Sequence, residues 1–312
     1  MYFTKESMQE IFEIVQKELE LSDIVSFDIL NPDLGSVYGG SEICIDDDIY
    51  LYRGYKSWID LAQILKCKML TPKESDYPFI TLSFKKLNTN NSFHLNTTDK
   101  DEKYGLNSDF WHINKMEEPS FLYYYTQALT NVKVSKRIDI LDLGINRADE
   151  FDTLKNSISP SDFDILNLVG IDHSKTAIEY AKDRFKHYTN IKFYQADIND
   201  LESLGLGRFD LLISIGTLQS PSINFKPFFM SLVQNYLKKD SAIILGFPNS
   251  RWIDGEMIYG AKASNYAMSE MSLLYSDIIF CKKYLTQHKY RVTITGKDYI
   301  FVTATKINPP KE

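Results

Sequence analysis

The stretch Ile138–Ala148, IDILDLGINRA, joins a short apolar run to an acidic residue and a glycine, and then opens toward a helical pattern. Its apolar residues predict a strand over 138–143. Gly144 lets the backbone turn sharply and approach a ligand without a Cβ in the way. An acidic residue and a glycine turn between a strand and a helix indicate a site for a nucleotide-like cofactor.

Two further acidic strand ends follow. LVGIDHS carries Asp172 and IKFYQADIND carries Asp197. Ser174 is suited to cap the helix that begins just after Asp172. A carboxylate at such a strand end can accept two hydrogen bonds from ribose hydroxyls. The alternatives are a solvated strand-end carboxylate for Asp172 and a loop cap for Asp197.

Strands and helices alternate through the rest of this region, which predicts a parallel sheet covered on both faces. YRVTITG and YIFVTATK lie so close together that they pair only as an antiparallel hairpin around Gly296–Asp298. The predicted strands are 138–143, 167–171, 191–195, 209–214 and 241–247, and the predicted helices are 149–157, 174–187, 225–238 and one around 269–287.

These segments together resemble a class I S-adenosylmethionine-dependent methyltransferase. The resemblance implies an α/β fold, a Rossmann-like doubly wound seven-stranded sheet with a C-terminal antiparallel hairpin. It also implies S-adenosyl-L-methionine as cofactor and S-adenosyl-L-homocysteine as product. The family pattern is an acidic residue followed by three alternating glycines. Here Gly144 fills the first glycine position, while Asn146 and Ala148 fill the other two.

The resemblance also implies site residues. The turn after Asp142 would lie against the cofactor's amino-acid tail, Asp172 would bind the ribose, and Asp197 would contact the adenine. The segment from Ser214 to Leu218 would line the space between the methyl group and the acceptor. The cofactor-binding residues implied are Asp142, Gly144, Asn146, Asp172, His173, Asp197, Ile198, Ser214, Ile215 and Gly216.

Residues that contact the acceptor are expected in GFPNSRWIDGEMIYGAKASNYAMSE, which is more polar than a connector requires. Arg251 is suited to pair with a carboxylate or phosphate. Asp254, Glu256 and Tyr259 are candidates to orient or deprotonate an acceptor. The alternative is a loop whose ions satisfy one another.

A second segment, EKYGLNSDFWHINKMEEP, precedes the first core strand. In the family, this part of the chain often folds over the cofactor. Tyr104 and Trp111 are therefore candidate substrate-binding residues. The alternative is that the aromatic rings pack in the core.

Three regions are expected along the chain. Residues 1–100 form a smaller N-terminal α+β domain that selects the substrate or is accessory, with an α-β-β-α-β pattern up to about residue 88. Residues 101–130 are a linker and a cofactor-covering helix, and residues 131–312 are the methyltransferase domain. The polar stretch around residue 100 has the composition of a loop.

Composition sets outer limits. The 312 residues are 44% hydrophobic, with no apolar run near the roughly 20 residues of a membrane helix and no apolar signal segment. A cytoplasmic protein without membrane contact is expected. The three cysteines and the isolated histidines lack the spacing of a metal site, so no metal is expected.

The net charge of −7 is unevenly distributed along the chain. Residues 1–50 hold twelve Asp and Glu against two Lys and Arg, which leaves the rest mildly basic. No sustained basic stripe supports nucleic acid as a partner, although RNA stays open.

The first hypothesis is therefore methyl transfer to an unidentified acceptor by in-line displacement. A small molecule is slightly favoured over RNA or protein. One alternative is a transferase that uses a related sulfonium donor. Another is a non-catalytic or partner-dependent scaffold that binds the cofactor. The pattern leaves the oligomeric state open.

Overall fold

The described residues of the computed structural model are 1–90, 104–261 and 271–307. They form two compact units. The first unit consists of residues 1–90 and Trp252–Ile258, and the second of residues 104–251 and the described residues from Tyr259 onward. The domain boundary predicted near residue 100 lies outside the described residues.

The first unit has a five-stranded sheet in the order β1-β2-β7-β5, with β6 also paired to β7. Strand β1 is parallel to β2, and the other pairs are antiparallel. Its elements are β1 (Tyr2–Phe3), α1 (Met8–Leu21), β2 (Ile24–Leu30), β3 (Glu42–Ile45), β4 (Asp48–Leu51), α2 (Tyr55–Ile64), β5 (Cys67–Met69), β6 (Lys73–Glu74) and β7 (Phe79–Lys86).

Helix α1 begins at a capping box. The hydroxyl of Ser7 accepts from the backbone N–H of Glu10, whose carboxylate accepts from the N–H of Ser7. Helical spacing places Ile11, Val15 and Leu19 on one buried face. This face shares one core with side chains of β2, β7 and α2.

Strands β3 and β4 form a separate hairpin in the first unit. Ile45 pairs with Asp48, so the turn consists of Asp46 and Asp47. Their φ angles are +51° and +67°. Two left-handed residues in a two-residue loop are the geometry of a type I′ turn, whose twist matches that of the strands.

The second unit contains α3 (Pro119–Asn131), β8 (Asp139–Leu143), α4 (Asp149–Asn156), α5 (Pro160–Asp164), β9 (Asn167–Asp172), α6 (Lys175–Arg184), β10 (Ile191–Gln195), β11 (Phe209–Ile215), α7 (Phe225–Ser231), β12 (Leu237–Pro248), α8 (Ser272–Gln287), β15 (Tyr290–Gly296) and β16 (Tyr299–Lys306). A short hairpin, β13 (Ser250–Ile253) and β14 (Glu256–Tyr259), follows β12 in sequence.

The sheet of the second unit has seven strands in the order β10-β9-β8-β11-β12-β16-β15. The first five are parallel, and β16 runs antiparallel to both of its neighbours. This confirms the predicted doubly wound, Rossmann-like seven-stranded sheet with a C-terminal antiparallel hairpin.

Both faces of this sheet are buried, as the apolar strands predict. Along β8, Ile140 joins one core, and Leu141 and Leu143 join the other. Helices α3, α4 and α6 contribute to the first core, and α7 and α8 to the second. The sheet thus packs between two layers of helices, and the loops at its strand ends are available to form a site.

Some boundaries differ from the predictions. The helix predicted over 225–238 is α-helical only to Ser231, and a π turn, Leu232–Tyr236, leads into β12. No helix of the described residues is long and apolar enough to cross a membrane.

Candidate functional site

Most of the predicted cofactor-binding residues meet at one edge of the seven-stranded sheet. Asp142 lies in β8, Asp172 ends β9, Asp197 follows β10, and Ser214 lies near the end of β11. These four strands are adjacent and parallel, so their carboxyl ends share the same edge. Ligands of open α/β sheets bind outside this edge, where the strand order reverses.

The turn after β8 has an unusual backbone. Gly144, Asn146 and Ala148 have φ angles of +77°, +47° and +65°. The two residues that replace glycine therefore still adopt the left-handed conformation that glycine favours. Asn146 and Ala148 thus adopt a backbone conformation that glycine would adopt without strain.

Gly144 also lies against the loop after β11. A Cβ at this position would come within 1.9 Å of Oγ1 of Thr217. The backbone N–H of Gly144 donates to the carbonyl of Ile171 in β9, at 2.8 Å. The turn is therefore fixed from both neighbouring strands, and only glycine fits there.

Asp172 connects the turn to the next helix. Its Oδ2 accepts from the backbone N–H of Asn146 and its Oδ1 from that of Ser174, both at 2.9 Å. The residue is 5% exposed. Each carboxylate oxygen has two lone pairs, so both can still accept from a ligand hydroxyl. His173 is exposed, with Nδ1 at 3.3 Å from Oδ1 of Asp172.

Two buried acidic residues lie behind the turn. Asp142 is 1% exposed, and its Oδ2 has no hydrogen-bond partner among the described residues. Burial raises the pKa of Asp142 well above its ordinary value, and the charge of Glu150 raises it further. Burial also raises the pKa of Glu150 to about 7, against the opposing effect of Lys115.

Lys115 lies among aromatic rings near these acids. Its Nζ is 5.8 Å from the ring centre of Phe110, 6.0 Å from that of Phe121 and 5.6 Å from that of Tyr299. Burial lowers the pKa of Lys115, but Tyr299 and then the acidic side chains of Glu150, Asp149 and Asp142 raise it, and the net change is an increase. The side chain is therefore a cation held by π faces.

Neither Glu150 nor Lys115 was predicted from the sequence as a site residue. Glu150 lies in the first turn of α4, where an acidic residue is common for a local reason, the helix dipole. Lys115 lies in a polar segment without periodicity. That both lie near Asp142 can be seen only in the folded structure.

The segment before α3 covers the turn. Nδ2 of Asn146 donates to the carbonyl of Tyr104 at 2.7 Å, and Nη1 of Arg147 donates to that of Trp111 at 2.9 Å. The Trp111 ring packs edge-on against Tyr180, at 4.9 Å between centres. Both predicted substrate residues thus lie beside the turn after β8, and the ring contact of Trp111 is with the exposed Tyr180, outside the core.

Asp197 is exposed and accepts from the backbone N–H of Asn199 at 2.9 Å, which is a capping contact. Ile198 is buried. At the end of β11, the hydroxyl of Ser214 donates to the carbonyl of Leu143 at 3.2 Å. Ile215 is also buried there.

Gly216 follows Ile215 with a φ of +74°. Its N–H donates to the carbonyl of Gly246 at 2.8 Å. The chain therefore turns sharply away from the sheet directly after β11.

The acceptor candidates divide between the two units. In the first unit, Glu256 forms an ion pair with Lys68, and Asp254 accepts from the backbone N–H of Asn88 at 3.2 Å. In the second unit, Nη1 of Arg251 donates to the carbonyl of Gly260 at 2.9 Å.

Tyr259, also in the second unit, is half exposed. Its hydroxyl contacts Sδ of Met271 at 3.3 Å. No group of three or more His, Cys, Asp or Glu is placed to hold a metal ion in residues 1–90, 104–261 and 271–307.

Comparison with solved structures finds similar chains at low identity. The plantazolicin methyltransferase BpumL in complex with SAH is 13% identical, with a TM-score of 0.46, over 67% of this chain and 94% of that chain. The 1,6-didemethyltoxoflavin-N1-methyltransferase of Burkholderia thailandensis is 14% identical, with a TM-score of 0.41, over 64% and 82%. A SAM-dependent methyltransferase from Aquifex aeolicus is 12% identical, with a TM-score of 0.40, over 62% and 97%.

No curated protein matches the chain in sequence. The family model described as a methyltransferase domain matches residues 138–294, just over half of the chain. The match covers the turn after β8, Asp172 at the end of β9 and most of the seven-stranded sheet. The chain therefore belongs to the methyltransferase-domain family, which confirms its resemblance to the class I S-adenosylmethionine-dependent methyltransferases.

Proposed function

We propose that this chain binds S-adenosylmethionine and transfers its methyl group to a small molecule by in-line displacement. The observation that carries the proposal is the backbone of the turn after β8. Gly144, Asn146 and Ala148 all keep left-handed φ angles. A non-glycine residue there costs about 1 kcal/mol or more in strain. A chain that had lost cofactor binding would have no reason to keep such a turn.

The residues present fit the cofactor. Asp142 has a buried carboxylate oxygen without a partner among the described residues, which suits the ammonium of the cofactor's amino-acid part. Lys115, a cation without a carboxylate within ion-pair distance in the described chain, suits its carboxylate group. Asp172 is suited to accept from the ribose hydroxyls. Asp197 and Ile198 are suited to the adenine.

When bound, S-adenosylmethionine supplies a methyl group on a sulfonium sulfur, a donor already activated for displacement. The chain's own residues then need to bind, align and exclude water. Asp172 fixes the turn through the N–H of Asn146. Tyr104 and Trp111, through the backbone contacts of their segment, would shield the site from solvent. Ser214, Ile215 and Gly216 would line the path to the acceptor.

A base is needed only if the acceptor atom carries a proton at the moment of attack. Tyr259, which lies in the second unit, is the proposed candidate for this role, and Arg251 is proposed to pair with an acidic group of the acceptor; Asp254 and Glu256 lie in the first unit.

The first experiment is calorimetric binding of S-adenosylmethionine and S-adenosylhomocysteine. Micromolar binding is expected for the wild type, and Asp172→Asn should weaken it by about tenfold or more, since hydrogen bonds to a charged group are lost. Asp164→Asn, an exposed acid in the same unit, is the matched control and should bind normally. Absence of binding in the wild type would reject the proposal and favour a partner-dependent scaffold.

The group transferred and the acceptor class are tested separately. Mass analysis of the product distinguishes a methyl group, a gain of about 14 Da, from the larger group of a related sulfonium donor. An RNA acceptor would bind with an affinity that falls steeply with salt. We expect RNA binding to be weak, because the first fifty residues carry twelve acidic against two basic residues. Tight, salt-sensitive RNA binding would contradict the small-molecule proposal.

A further inference from the structure

The first unit contains an open groove of about 580 Å³. Most of its wall is apolar, and a smaller part is polar. The apolar residues that line it are Met8, Phe12, Leu51, Leu61 and Ile64. The polar side chains that line it are Ser7, Arg53, Ser57 and Asp60, and the backbone of Gly39 and Gly40 completes the wall.

Arg53 is the cation of this groove. The residue is only 8% exposed. Its Nη2 donates to the backbone carbonyl of Glu6 at 2.5 Å, and its guanidinium lies 6.0 Å from the ring centre of Trp58. A guanidinium has five N–H donors, so one hydrogen bond leaves most of them unused. No carboxylate of the described residues lies within ion-pair distance of it.

The positive charge of Arg53 has no direct counter-ion among the described residues. Burial lowers the pKa of Arg53, and the charge of Glu6 opposes this effect. The carboxylate of Glu6 is itself occupied, because its Oε2 accepts from the backbone N–H groups of Thr4 and Lys5, at 2.6 and 3.1 Å. A buried cation without a direct counter-ion is costly unless a ligand supplies one.

The start of helix α2 adds positive potential to the same groove. Its N-cap, Gly54, directly follows Arg53 and makes no side-chain capping bond. The first turn has no acidic residue, so nothing there neutralises the positive end of the helix dipole. Ser57, in that turn, lines the groove. Asp60 also lines it, but its carboxylate pairs with Lys56 at 2.5 Å.

We propose that this groove binds a small organic anion, with a carboxylate or phosphate group at Arg53 and the start of α2 and an apolar body along Met8, Phe12 and Ile64. This site lies wholly within the first unit and goes beyond the methyl transfer proposed for the second. The two head groups share one chemistry, an oxyanion that accepts from guanidinium, hydroxyl and backbone N–H groups.

The test uses the full chain and three probes of equal chain length: octanoate, octyl phosphate and 1-octanol. Calorimetry is expected to show binding of at least one anion below about 1 mM, with 1-octanol weaker by about tenfold or more. The tighter anion identifies the head group. Equal binding of 1-octanol and the anions, or no anion binding up to about 2 mM, would overturn the proposal.

Ser57→Glu is the decisive variant. A glutamate in the first turn favours the helix, so the fold is retained, while its charge opposes an anion in the groove. Binding should weaken about tenfold or more in Ser57→Glu and in Arg53→Gln. Arg291→Gln, which removes an exposed arginine from β15, is the matched control and should bind as the wild type does. Unchanged anion binding in Ser57→Glu would also overturn the proposal.

Discussion

Gly144 is the residue of the turn after β8 where an added side chain is tolerated least. In Gly144→Ala the new Cβ would meet Oγ1 of Thr217, at 1.9 Å, and the φ of +77° would strain the backbone. Together these effects are expected to lower the free energy of unfolding by about 3 kcal/mol. Chemical denaturation of the variant measures this loss.

Gly205→Ala is the matched control for that loss. Gly205 is also left-handed, with a φ of +58°, but its Cβ would meet nothing within 4 Å. Only the strain of about 1 kcal/mol should appear. If the two variants lose the same stability, the contact with Thr217 is not what excludes a side chain at Gly144.

Glu150 predicts a pH dependence of stability. Its pKa rises from 4.5 in an ordinary setting to about 7 in the folded chain, chiefly through burial. Between these values the folded state binds the extra proton, so this group's contribution to stability falls as the pH rises and becomes constant above about pH 8. The total loss is up to about 3 kcal/mol.

Glu150→Gln removes this titration. The free energy of unfolding of the variant minus that of the wild type should therefore increase from pH 5 to pH 8. Denaturation of both proteins at each pH measures this difference. Glu179→Gln, an exposed acid of α6, should show no such trend. A constant difference between Glu150→Gln and the wild type across this range would mean that the carboxylate stays ionised throughout.

For single residues, the sequence predicted those positions in the fold that depend only on the neighbouring sequence. Asp142 and Asp172 follow apolar strands, so their place at the sheet edge could be predicted. The electrostatic effects of Glu150 and Lys115 on Asp142 could not, because they depend on segments that only the folded chain brings together. The conformation of Ala148 was equally hidden, since alanine rarely adopts a positive φ.

Among the elements, the β3–β4 hairpin offers the clearest test of local backbone geometry. Asp47 has a φ of +67° in the two-residue turn. Asp47→Gly should raise the free energy of unfolding by about 0.5 kcal/mol, because glycine adopts this conformation without strain. Chemical denaturation of the full chain, followed by tryptophan fluorescence, measures the change.

Asp48→Gly is the control for charge. It removes the same carboxylate one residue later, where Asp48 pairs with Ile45 in the ladder. Glycine inside a strand costs about 0.5–1 kcal/mol, so this variant should be less stable than the wild type. Stabilisation by both variants would show that charge repulsion, and not the turn, limits the hairpin.

The elements also show where pattern reasoning fails. The apolar stretches within β11 and β12 were recognisable in the sequence, and Ile191–Gln195 lies where the prediction placed it. The helix predicted to 238 ended early, because a π turn and the long strand β12 compete for the same residues. The short strands β5 and β6 were missed, since two or three residues carry no periodicity.

On the scale of the whole molecule, a different function is proposed for each of the two units. The second unit carries the family's sheet, and its cofactor was predictable from three acidic strand ends. The acceptor was not, because one scaffold serves many acceptors and their contacts come from loops without a shared pattern. The groove at Arg53 was equally invisible, as it joins residues from α1, β4 and α2.

Ligand binding should stabilise the second unit by a calculable amount. At a concentration of S-adenosylhomocysteine near 100 times its Kd, the free energy of unfolding should rise by about 2.7 kcal/mol. Hydrogen exchange of the buried amides of β8 and β11, which open only when the core of this unit opens, measures the rise. Asp172→Asn should lose most of the effect, and Asp164→Asn should keep it. If exchange slows equally in both variants, the ligand binds away from the carboxyl end of β9, and the cofactor site must be sought elsewhere on the chain.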